Sequence, residues 1–309
     1  AAGSNEAIFG RRCAEARRGR VGARFRSLPA GRANNQQRNV RPLGLAVVGF
    51  GSWGRNLARN FRTSVDGELR WVCDLDDERA SAARRLCTVG TTHDLDEILD
   101  DRGVNAVVIA TSPQSHFELA SRCLDAGRHV LVEKPMACSV PEGEVLTREA
   151  ERLGLVLMCD HTYCYSPIAS TLRELVLTDG LGTVGHIEST RLSKGKVQSE
   201  VDVFWDLAAH DLSILDYILP NGSWIEQVAA RGVDPIGVGQ ACSGSLDAQL
   251  NSGTTVRVHV SWLSEAKVRR FSVTGTRRVA VWDDLHAIDR LTVHDLGIDD
   301  QSHMTASIE

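Results

Sequence analysis

Short apolar runs alternate with amphipathic stretches along the first half of the chain. The apolar runs predict strands at Leu45–Gly49, Leu69–Asp74, Ala106–Ala110, His129–Val132 and Leu155–Cys159. The stretches between them predict helices at about residues 54–64, 77–87, 94–101, 115–126 and 141–153. Continuously apolar strands are typical of a parallel sheet that helices cover on both faces. Residues 44–160 are therefore predicted to form a doubly wound α/β domain.

The pattern changes after residue 160, where helices are predicted at about 167–179 and 207–219. In TTVRVHVSW (254–262) every second residue is apolar, and this period of two predicts a strand with two different faces. One face carries Val256, Val258, Val260 and Trp262, and the other carries Arg257, His259 and Ser261. VRRFSVTG and RRVAVWDD (268–275 and 277–284) predict an antiparallel hairpin. Residues 161–309 are therefore predicted to form an α+β domain with an open, mostly antiparallel sheet.

The composition argues against several classes of function. Of the 309 residues, 42% are hydrophobic and 24% are charged, which is typical of globular proteins. No run approaches the roughly 18 consecutive apolar residues of a membrane helix, so no membrane role is predicted. The eight cysteines are scattered without a C-x-x-C pair, so no metal site is predicted. With no secretory signal in the sequence, a cytoplasmic location is expected.

Charge is unevenly distributed along the chain. The net charge is −5, yet residues 1–43 hold ten arginines against two glutamates. This segment lacks apolar periodicity and is predicted to be a disordered basic extension, although an organelle transit peptide is an alternative. The remainder is acidic overall. Nucleic-acid binding is not predicted, because phosphate contacts need a clustered basic surface.

A glycine-rich turn links the first predicted strand to the first predicted helix. GLAVVGFGSWGRNLARNF (44–61) contains Gly49, Gly51 and Gly54 in a G-x-G-x-x-G pattern. The first glycine permits a tight turn, the second lets backbone approach a pyrophosphate, and the third allows close packing of helix on strand. The helix N-terminus then presents N–H groups to the anion. The pattern predicts a dinucleotide site of the Rossmann type.

Asp74 lies twenty residues beyond Gly54, at the end of the second predicted strand. A carboxylate at this position accepts hydrogen bonds from the adenosine ribose hydroxyls and repels a 2′-phosphate. The sequence therefore predicts NAD as the cofactor. NADP remains possible, because Arg79 and Arg84 lie nearby in sequence.

Two further segments carry candidate chemistry. HVLVEKPMA (129–137) places Lys134 at the C-terminal end of a predicted strand, where ligands bind in open α/β sheets. A lysine there can exchange a proton, or it can be a surface residue before a turn. VFWDLAAHDLSILDYIL (203–219) places Asp206 and His210 four residues apart on a predicted helix. This pair can be an acid–base group, a helix cap with a satisfied histidine, or half of a metal site.

The order of these motifs resembles the glucose–fructose oxidoreductase/inositol dehydrogenase (Gfo/Idh/MocA) family. TSPQSHFELASRCLDAGRHVLVEKPMA (111–137) is a close match, and the resemblance extends over about residues 44–298. RLSKGKVQSEVDVFWDLAAHDLSIL (191–215) and VSWLSEAKVRRFSVTG (260–275) look like the branch that acts on nucleotide-linked sugars. The resemblance implies an NAD(P)-dependent oxidation of a sugar hydroxyl to a ketone, as at C3 of a UDP-N-acetylglucosamine-like substrate, or the reverse reaction.

The resemblance also implies roles for individual residues. Lys134 and His210 would be the acid–base groups around the reacting oxygen, Asp206 would orient or assist them, and self-association would use the C-terminal sheet. The predicted cofactor site comprises Gly49, Phe50, Gly51, Ser52, Trp53, Gly54, Asp74, Thr111, Ser112, Pro113, His116, Glu133, Lys134 and Pro135.

Two features depart from the family pattern. HTYCYSP (161–167) has Cys164 and Ser166 where arginine and asparagine are common. The chain also stops where members usually continue into a C-terminal helix, so a truncated or atypical member is expected. A catalytically silent dinucleotide-binding homologue is therefore the alternative to an enzyme. An adenosine-binding methyltransferase is disfavoured, because E-K-P and D-x-x-x-H have no role there.

Overall fold

The structure is a computed structural model that describes residues 42–87, 89–195 and 197–297. The predicted basic extension lies outside the described residues up to residue 41, and β1 already begins at Leu43. None of the described helices is long and apolar enough to cross a membrane.

Six parallel strands form the first sheet, in the order β3-β2-β1-β4-β5-β6. They are β1 (Leu43–Val48), β2 (Gly67–Cys73), β3 (Gly90–Thr92), β4 (Ala106–Ile109), β5 (His129–Glu133) and β6 (Leu157–Asp160). The connecting helices are α1 (Ser52–Arg62), α2 (Asp77–Cys87), α3 (Leu95–Asp100), α4 (Pro113–Asp125) and α5 (Val140–Leu153). The predicted doubly wound domain is confirmed.

Local sequence explains why these helices begin and end where they do. The side chain of Ser139 accepts a hydrogen bond from Glu142 N and caps α5 at its start. Gly154 ends the same helix in the left-handed region, with φ of +66°, which glycine adopts at little cost. α4 begins at Pro113, where the missing N–H of proline costs the helix no hydrogen bond.

Seven strands form the second sheet, in the order β13-β12-β11-β7-β10-β9-β8. They are β7 (Val184–Lys194), β8 (Ile225–Val233), β9 (Ser243–Leu250), β10 (Thr255–Ser261), β11 (Leu263–Gly275), β12 (Arg278–Asp283) and β13 (Leu291–Asp295). All neighbours are antiparallel except β7 and β10, and β11 with β12 forms the expected hairpin. The prediction of a mostly antiparallel sheet is confirmed.

One face of this second sheet carries the hydrophobic core. Val256, Val258 and Val260 of β10 are buried there, and Arg257 and His259 face the other way and are exposed. The alternation ends early, because the sequence pattern placed Ser261 on the exposed face and the structure buries it. The core-facing side packs against residues of α6 (Pro167–Leu177), α7 (Ala209–Ile218) and a π-helical turn (Phe204–Ala208) before α7.

The ends of the parallel strands determine where chemistry can take place. β5 ends at Glu133 and β6 at Asp160, and the two residues are paired in register. A 3₁₀ turn (Thr162–Tyr165) follows β6 directly. The glycine turn after β1 opens at the same edge of the sheet, since parallel strands all end on one side. Ligands of open α/β sheets bind over this edge.

Candidate active site

The glycine turn leaves open space where an anion can approach. Gly49 has φ of +92°, and an added Cβ would lie 2.6 Å from the Ala110 carbonyl oxygen. A Cβ on Gly54 would lie 1.9 Å from the Gly49 carbonyl oxygen, so helix and strand are in close contact. A Cβ on Gly51 would meet no atom of the described residues within 4 Å. Only the second glycine therefore faces open space, as backbone approach by a pyrophosphate requires.

The N-terminus of α1 beside this space is electropositive. Among the described residues no side chain caps it, and its first turn contains no acidic residue. Ser52 and Trp53 are its first two residues, and Phe50, just before it, is fully buried. Free N–H groups and the helix dipole favour an anion at this end. The turn therefore has the donors and the space that the phosphates of a dinucleotide need.

Asp74 lies beneath the glycine turn. It is only 7% exposed, and its Oδ2 accepts a hydrogen bond of 2.6 Å from Phe50 N. Its Oδ1 accepts another from Asp76 N at 2.9 Å, and the Arg79 Nη1 atom lies 3.9 Å from Oδ2. The carboxylate therefore fixes the turn, and the guanidinium at its side is half exposed.

The loop at the end of β4 is joined to the loop after β5 by one histidine. His116 is fully buried, with Nδ1 2.8 Å from the Pro135 carbonyl oxygen and Nε2 3.2 Å from that of Thr111. Burial lowers its pKa, so the ring is neutral and one nitrogen donates. Its position favours an indirect role, in which it holds Thr111 and Pro135 in place. Ser112 and Pro113 follow Thr111 at the start of α4, and no side chain of the described residues caps the N-terminus of this helix.

Lys134 reaches from the parallel sheet to the π-helical turn. Its Nζ donates to Oδ1 of Asp206 at 2.7 Å and to the Asp206 carbonyl oxygen at 2.8 Å. The other carboxylate oxygen, Oδ2, accepts from Trp262 Nε1 at 2.9 Å. Both charged side chains are less than one-fifth exposed. The ammonium is thus held in one place, next to the helix that carries His210.

His210 packs on an aromatic ring and lacks a hydrogen bond at one nitrogen. Its ring meets that of Tyr163 edge-on at 5.1 Å, and its Nδ1 is buried without a partner among the described residues. Burial, followed by the charges of Arg191 and Lys134, lowers its pKa well below 6.5. The imidazole is therefore neutral at pH 7. Of the two residues that Asp206 was expected to orient or assist, its carboxylate binds Lys134, and its other oxygen accepts from Trp262.

A buried ion pair between Arg191 and Asp211 packs against the ring of Tyr163. Arg191 of β7 donates three hydrogen bonds to Asp211 of α7, at 2.8 to 3.2 Å, and both side chains are less than one-tenth exposed. The guanidinium lies 4.6 Å above the Tyr163 ring. The Tyr163 hydroxyl donates to Asp284 Oδ2 at 3.3 Å. The ring that supports His210 is thus fixed from several sides.

Glu133 and Asp160 place two carboxyl groups beside Lys134. Trp53 of the glycine turn donates from Nε1 to Asp160 Oδ2 at 3.3 Å, and Lys134 N donates to Glu133 Oε2 at 3.1 Å. Burial, with Asp160 adding to it, raises the pKa of Glu133 to about 8. Glu133 Oε1 is buried and has no partner among the described residues.

Within the part of the chain that the structure describes, buried polar atoms without a hydrogen-bond partner concentrate in this region. They include Glu133 Oε1 and the Nδ1 atoms of His161 and His210. The charge of Lys134 contributes a lowering of the pKa of all three residues. Buried polar atoms without partners are rare in proteins, and a bound ligand is one way to satisfy them. The residues around Lys134 therefore lack the bonds that a polar ligand would make.

The sequence motifs identified Lys134, Asp206 and His210 but missed several of their neighbours. Those are Trp262, which holds Asp206, Tyr163, which supports His210, and His161 and Asp160 at the end of β6. The signal available for His161 and Asp160 is their position at the end of a predicted strand. Among the residues that the structure covers, no group of three or more His, Cys, Asp or Glu side chains could hold a metal ion.

Comparison with known proteins agrees with this geometry. The protein-family model described as "Oxidoreductase family, NAD-binding Rossmann fold" (Gfo/Idh/MocA) matches residues 43–161. UDP-N-acetylglucosamine 3-dehydrogenase of Acidithiobacillus ferrooxidans is 30% identical over 241 residues, which are 78% of this chain and 74% of that enzyme.

Two solved structures of similar proteins resemble this chain over most of its length. GenD2 from gentamicin A biosynthesis, determined in complex with NAD, has a TM-score of 0.76 and 26% identity, over 84% of this chain and 75% of its own. The structure of GnnA, the UDP-N-acetylglucosamine 3-dehydrogenase of Acidithiobacillus ferrooxidans, has a TM-score of 0.72 and 28% identity, over 82% and 80% of the two chains. The predictions of an oxidoreductase and of NAD as its cofactor are confirmed.

Proposed function

Because this chain belongs to the Gfo/Idh/MocA family of NAD-binding oxidoreductases, we propose that it interconverts a hydroxyl and a ketone on a sugar or nucleotide-linked sugar. The observation that carries the proposal is the ion pair between Lys134 and Asp206, next to the neutral imidazole of His210. A cationic donor and a neutral acceptor are the two groups that handle the proton of an alcohol.

The dinucleotide would extend from the glycine turn towards Lys134. Its phosphates would lie at Gly51, where a Cβ has open space, and at the uncapped start of α1. Asp74 supports NAD over NADP by its charge, and Arg79 at its side offers a contact for a 2′-phosphate. The cofactor would supply the hydride acceptor, and the protein would position the substrate and handle its proton.

The environments of Lys134 and His210 suggest different roles for the two side chains. The Lys134 ammonium would donate a hydrogen bond to the reacting oxygen and stabilise the negative charge that develops as its proton leaves. The neutral ring of His210 would accept that proton, directly or through a water molecule. In the reverse direction the same groups would return the proton to the carbonyl oxygen. Asp206 and Trp262 would keep the ammonium in position and exclude other partners.

Nucleotide-linked sugars are the substrate class best supported by the relatives. UDP-N-acetylglucosamine 3-dehydrogenase is among the most similar proteins, and its match covers 78% of this chain. We expect a UDP-sugar with a free 3-hydroxyl to be a better substrate than a free sugar. The second candidate function, a silent dinucleotide-binding homologue, is favoured by Cys164 and Ser166, which stand where family members commonly have arginine and asparagine.

The test is a panel of UDP-sugars, dTDP-sugars and free sugars with NAD and with NADP, followed by the absorbance of the reduced nicotinamide. The proposal expects a rate with at least one nucleotide-linked sugar that exceeds the rate without sugar at least a hundredfold. Cofactor binding is measured separately by calorimetry. Tight NAD binding with no response to any sugar would reject the enzyme and favour the silent homologue.

A further inference from the structure

Two carboxyl groups meet at the ends of neighbouring strands beside Lys134. Glu133 is the last residue of β5 and Asp160 the last of β6, and they are paired in parallel register. Strands of a sheet lie about 4.8 Å apart, so side chains at paired positions are close neighbours on one face. Asp160 is 9% exposed, and the Glu133 carboxyl is largely shielded from water.

If both groups are ionised, this pair has more acceptor atoms than the surrounding donors satisfy. Asp160 Oδ2 accepts from Trp53 Nε1, and Glu133 Oε2 accepts from Lys134 N. Glu133 Oε1 has no donor among the described residues, and Asp160 is the paired residue on the neighbouring strand. Two carboxylates can only accept. The contact becomes a hydrogen bond once one of them carries a proton.

The surrounding charges do not neutralise the pair. Lys134 lowers the pKa of Glu133, but its ammonium already donates to two oxygen atoms of Asp206. Burial lowers the pKa of the neighbouring His161, so its ring is neutral. Burial also raises the pKa values of Cys159, to about 12, and of Tyr165. These three side chains are therefore uncharged near pH 7.

We propose that Glu133 and Asp160 share one proton, carried by Glu133, and that a positively charged nicotinamide ring displaces it to solvent when NAD⁺ binds beside Lys134. Asp160 acts as a positioning residue, because its carboxylate accepts a hydrogen bond from the protonated Glu133 and another from the indole of Trp53. The release of the proton on NAD⁺ binding rests on the cofactor position given in the proposed function. The sharing of the proton in the free protein does not depend on that position.

The electrostatics give the direction of the effect. Burial and Asp160 raise the pKa of Glu133 to about 8, so most molecules carry the proton at pH 7. A cation within a few ångströms lowers a carboxyl pKa by about 1–2 units. The oxidised ring carries this charge and the reduced ring does not. Binding of NAD⁺ therefore releases a proton near pH 7, and binding of NADH releases none.

The consequence is that oxidised and reduced cofactor respond differently to pH. A ligand that binds better to the deprotonated pair binds more tightly as the pH rises through the pKa of Glu133. The affinity for NAD⁺ is expected to rise about tenfold between pH 6 and pH 8.5, in line with the pKa displacement by a nearby cation. The affinity for NADH is expected to change less than twofold.

The first experiment tests the shared proton without any cofactor. Infrared difference spectra of the free protein, titrated from pH 5 to pH 10, are expected to show the carbonyl band of a protonated carboxyl at pH 7, lost with a midpoint near 8. Glu133→Gln should remove this band, and Asp160→Asn should lower its midpoint by at least one unit. Glu144→Gln, at an exposed carboxyl of α5, is the matched control and should leave the band intact. A pH 7 spectrum in which Glu133→Gln removes no such band overturns the shared proton.

The second experiment tests the displacement. Calorimetric titration at pH 7 in buffers of different ionisation enthalpy counts the protons released on binding. Wild-type protein should release roughly half a proton or more with NAD⁺, as a shift of one to two pKa units implies, and close to none with NADH. Glu133→Gln should abolish the release and the pH dependence of NAD⁺ affinity. Equal counts for the two nucleotides, or release that persists in Glu133→Gln, overturns the displacement.

The two experiments separate this inference from the proposed function. If neither nucleotide binds to wild-type protein, the proposed function and the displacement both fail, and the infrared titration still decides whether the proton is shared. If NAD⁺ and NADH bind with equal proton counts, the displacement fails and the cofactor site stands. Thermal unfolding followed by circular dichroism checks that the variants are folded.

Discussion

At the scale of single residues, the neutral histidines around Lys134 lower the free energy of unfolding. His161 and His210 each bury an Nδ1 atom without a partner among the described residues, and each such atom costs about 1–3 kcal/mol. A bound substrate or cofactor can supply the missing hydrogen bonds. The same burial lowers the pKa of both rings and keeps them uncharged near neutral pH. The buried histidines therefore lower the stability of the fold, and they provide a neutral proton acceptor beside the fixed ammonium of Lys134.

The lowered pKa of His210 predicts a dependence of stability on pH. The folded protein keeps this ring neutral, whereas the unfolded chain protonates it below its usual value of 6.5. The free energy of unfolding should therefore fall as the pH drops below 6.5, and His210 should account for about 1 kcal/mol of the loss by pH 5.5. Urea unfolding at pH 7.0 and 5.5 measures this in wild type and in His210→Gln. The variant should lose about 1 kcal/mol less. An identical loss in both proteins would contradict the neutral buried ring.

Some of these residues could be predicted from the sequence and others could not. Lys134 and His210 lie in motifs whose spacing points to chemistry. Asp206 was predicted in the same way, and the family resemblance implied that it assists Lys134 and His210. Its contact with Trp262 was not predicted, because the two residues are distant in sequence. The position of Tyr163 against His210 depends on how the end of β6 meets α7. No local pattern encodes that contact.

At the scale of elements, the turn from β1 to α1 allows a test with two glycines. Gly51→Val places its side chain in open space at an ordinary φ of −69°, so the free energy of unfolding should change by less than about 0.5 kcal/mol. NAD affinity, measured by calorimetry, should nevertheless fall at least tenfold, because the side chain occupies the path of the phosphates.

The matched variant is Gly54→Ala. Its Cβ would collide with the Gly49 carbonyl oxygen, so it should lower stability by several kcal/mol, as backbone displacement by overpacking does. Equal stabilities for the two variants, or unchanged NAD affinity in Gly51→Val, would be incompatible with the roles assigned to the glycines.

The buried ion pair between β7 and α7 makes a second prediction at this scale. Asp211→Asn leaves the Arg191 charge buried without its counter-charge and should lower the free energy of unfolding by about 3 kcal/mol. Asp247→Asn removes the exposed pair with Arg257 and should cost less than about 1 kcal/mol. Urea unfolding compares the two variants. A cost for Asp211→Asn no greater than that of the control would argue against the pair as a structural tie.

Element predictions succeeded where patterns were long and failed where tertiary structure decided. The helix predicted at residues 77–87 is α2 itself, and the predicted strand at residues 254–262 contains β10. The three-residue β3 was missed, since so short a run has no periodicity of its own. The helix predicted at 207–219 instead begins as a π-helical turn, where the Asp206 carbonyl oxygen accepts from Lys134. Hydrophobic spacing cannot indicate such a turn.

At the scale of the whole molecule, the second sheet ends at β8, which has no further strand beside it among the described residues. β8 is an edge strand whose nine residues are all exposed, Ile225, Val228 and Val233 among them. A shallow depression of about 470 Å³ lies across β7, β8, β9 and β10. Long exposed edge strands with apolar residues tend to pair with another chain. The predicted self-association through this sheet therefore remains our proposal.

Sedimentation velocity at micromolar concentration tests that proposal. We expect a dimer or larger oligomer that Val228→Glu dissociates at least tenfold more readily. Val65→Glu, at a residue 89% exposed and outside this sheet, is the matched control and should leave the oligomer unchanged. A monomer at every concentration would rule out the association.

In the proposed reaction, Lys134 and His210 act together beside the nicotinamide. The most direct measurement compares wild type with Lys134→Met, using the best sugar of the panel and following reduced-nicotinamide formation, with NAD affinity determined by calorimetry. We predict that turnover falls at least a thousandfold while NAD affinity stays within threefold, because the ammonium stabilises the reacting oxygen and does not hold the dinucleotide. Turnover within tenfold of wild type in Lys134→Met would contradict the account.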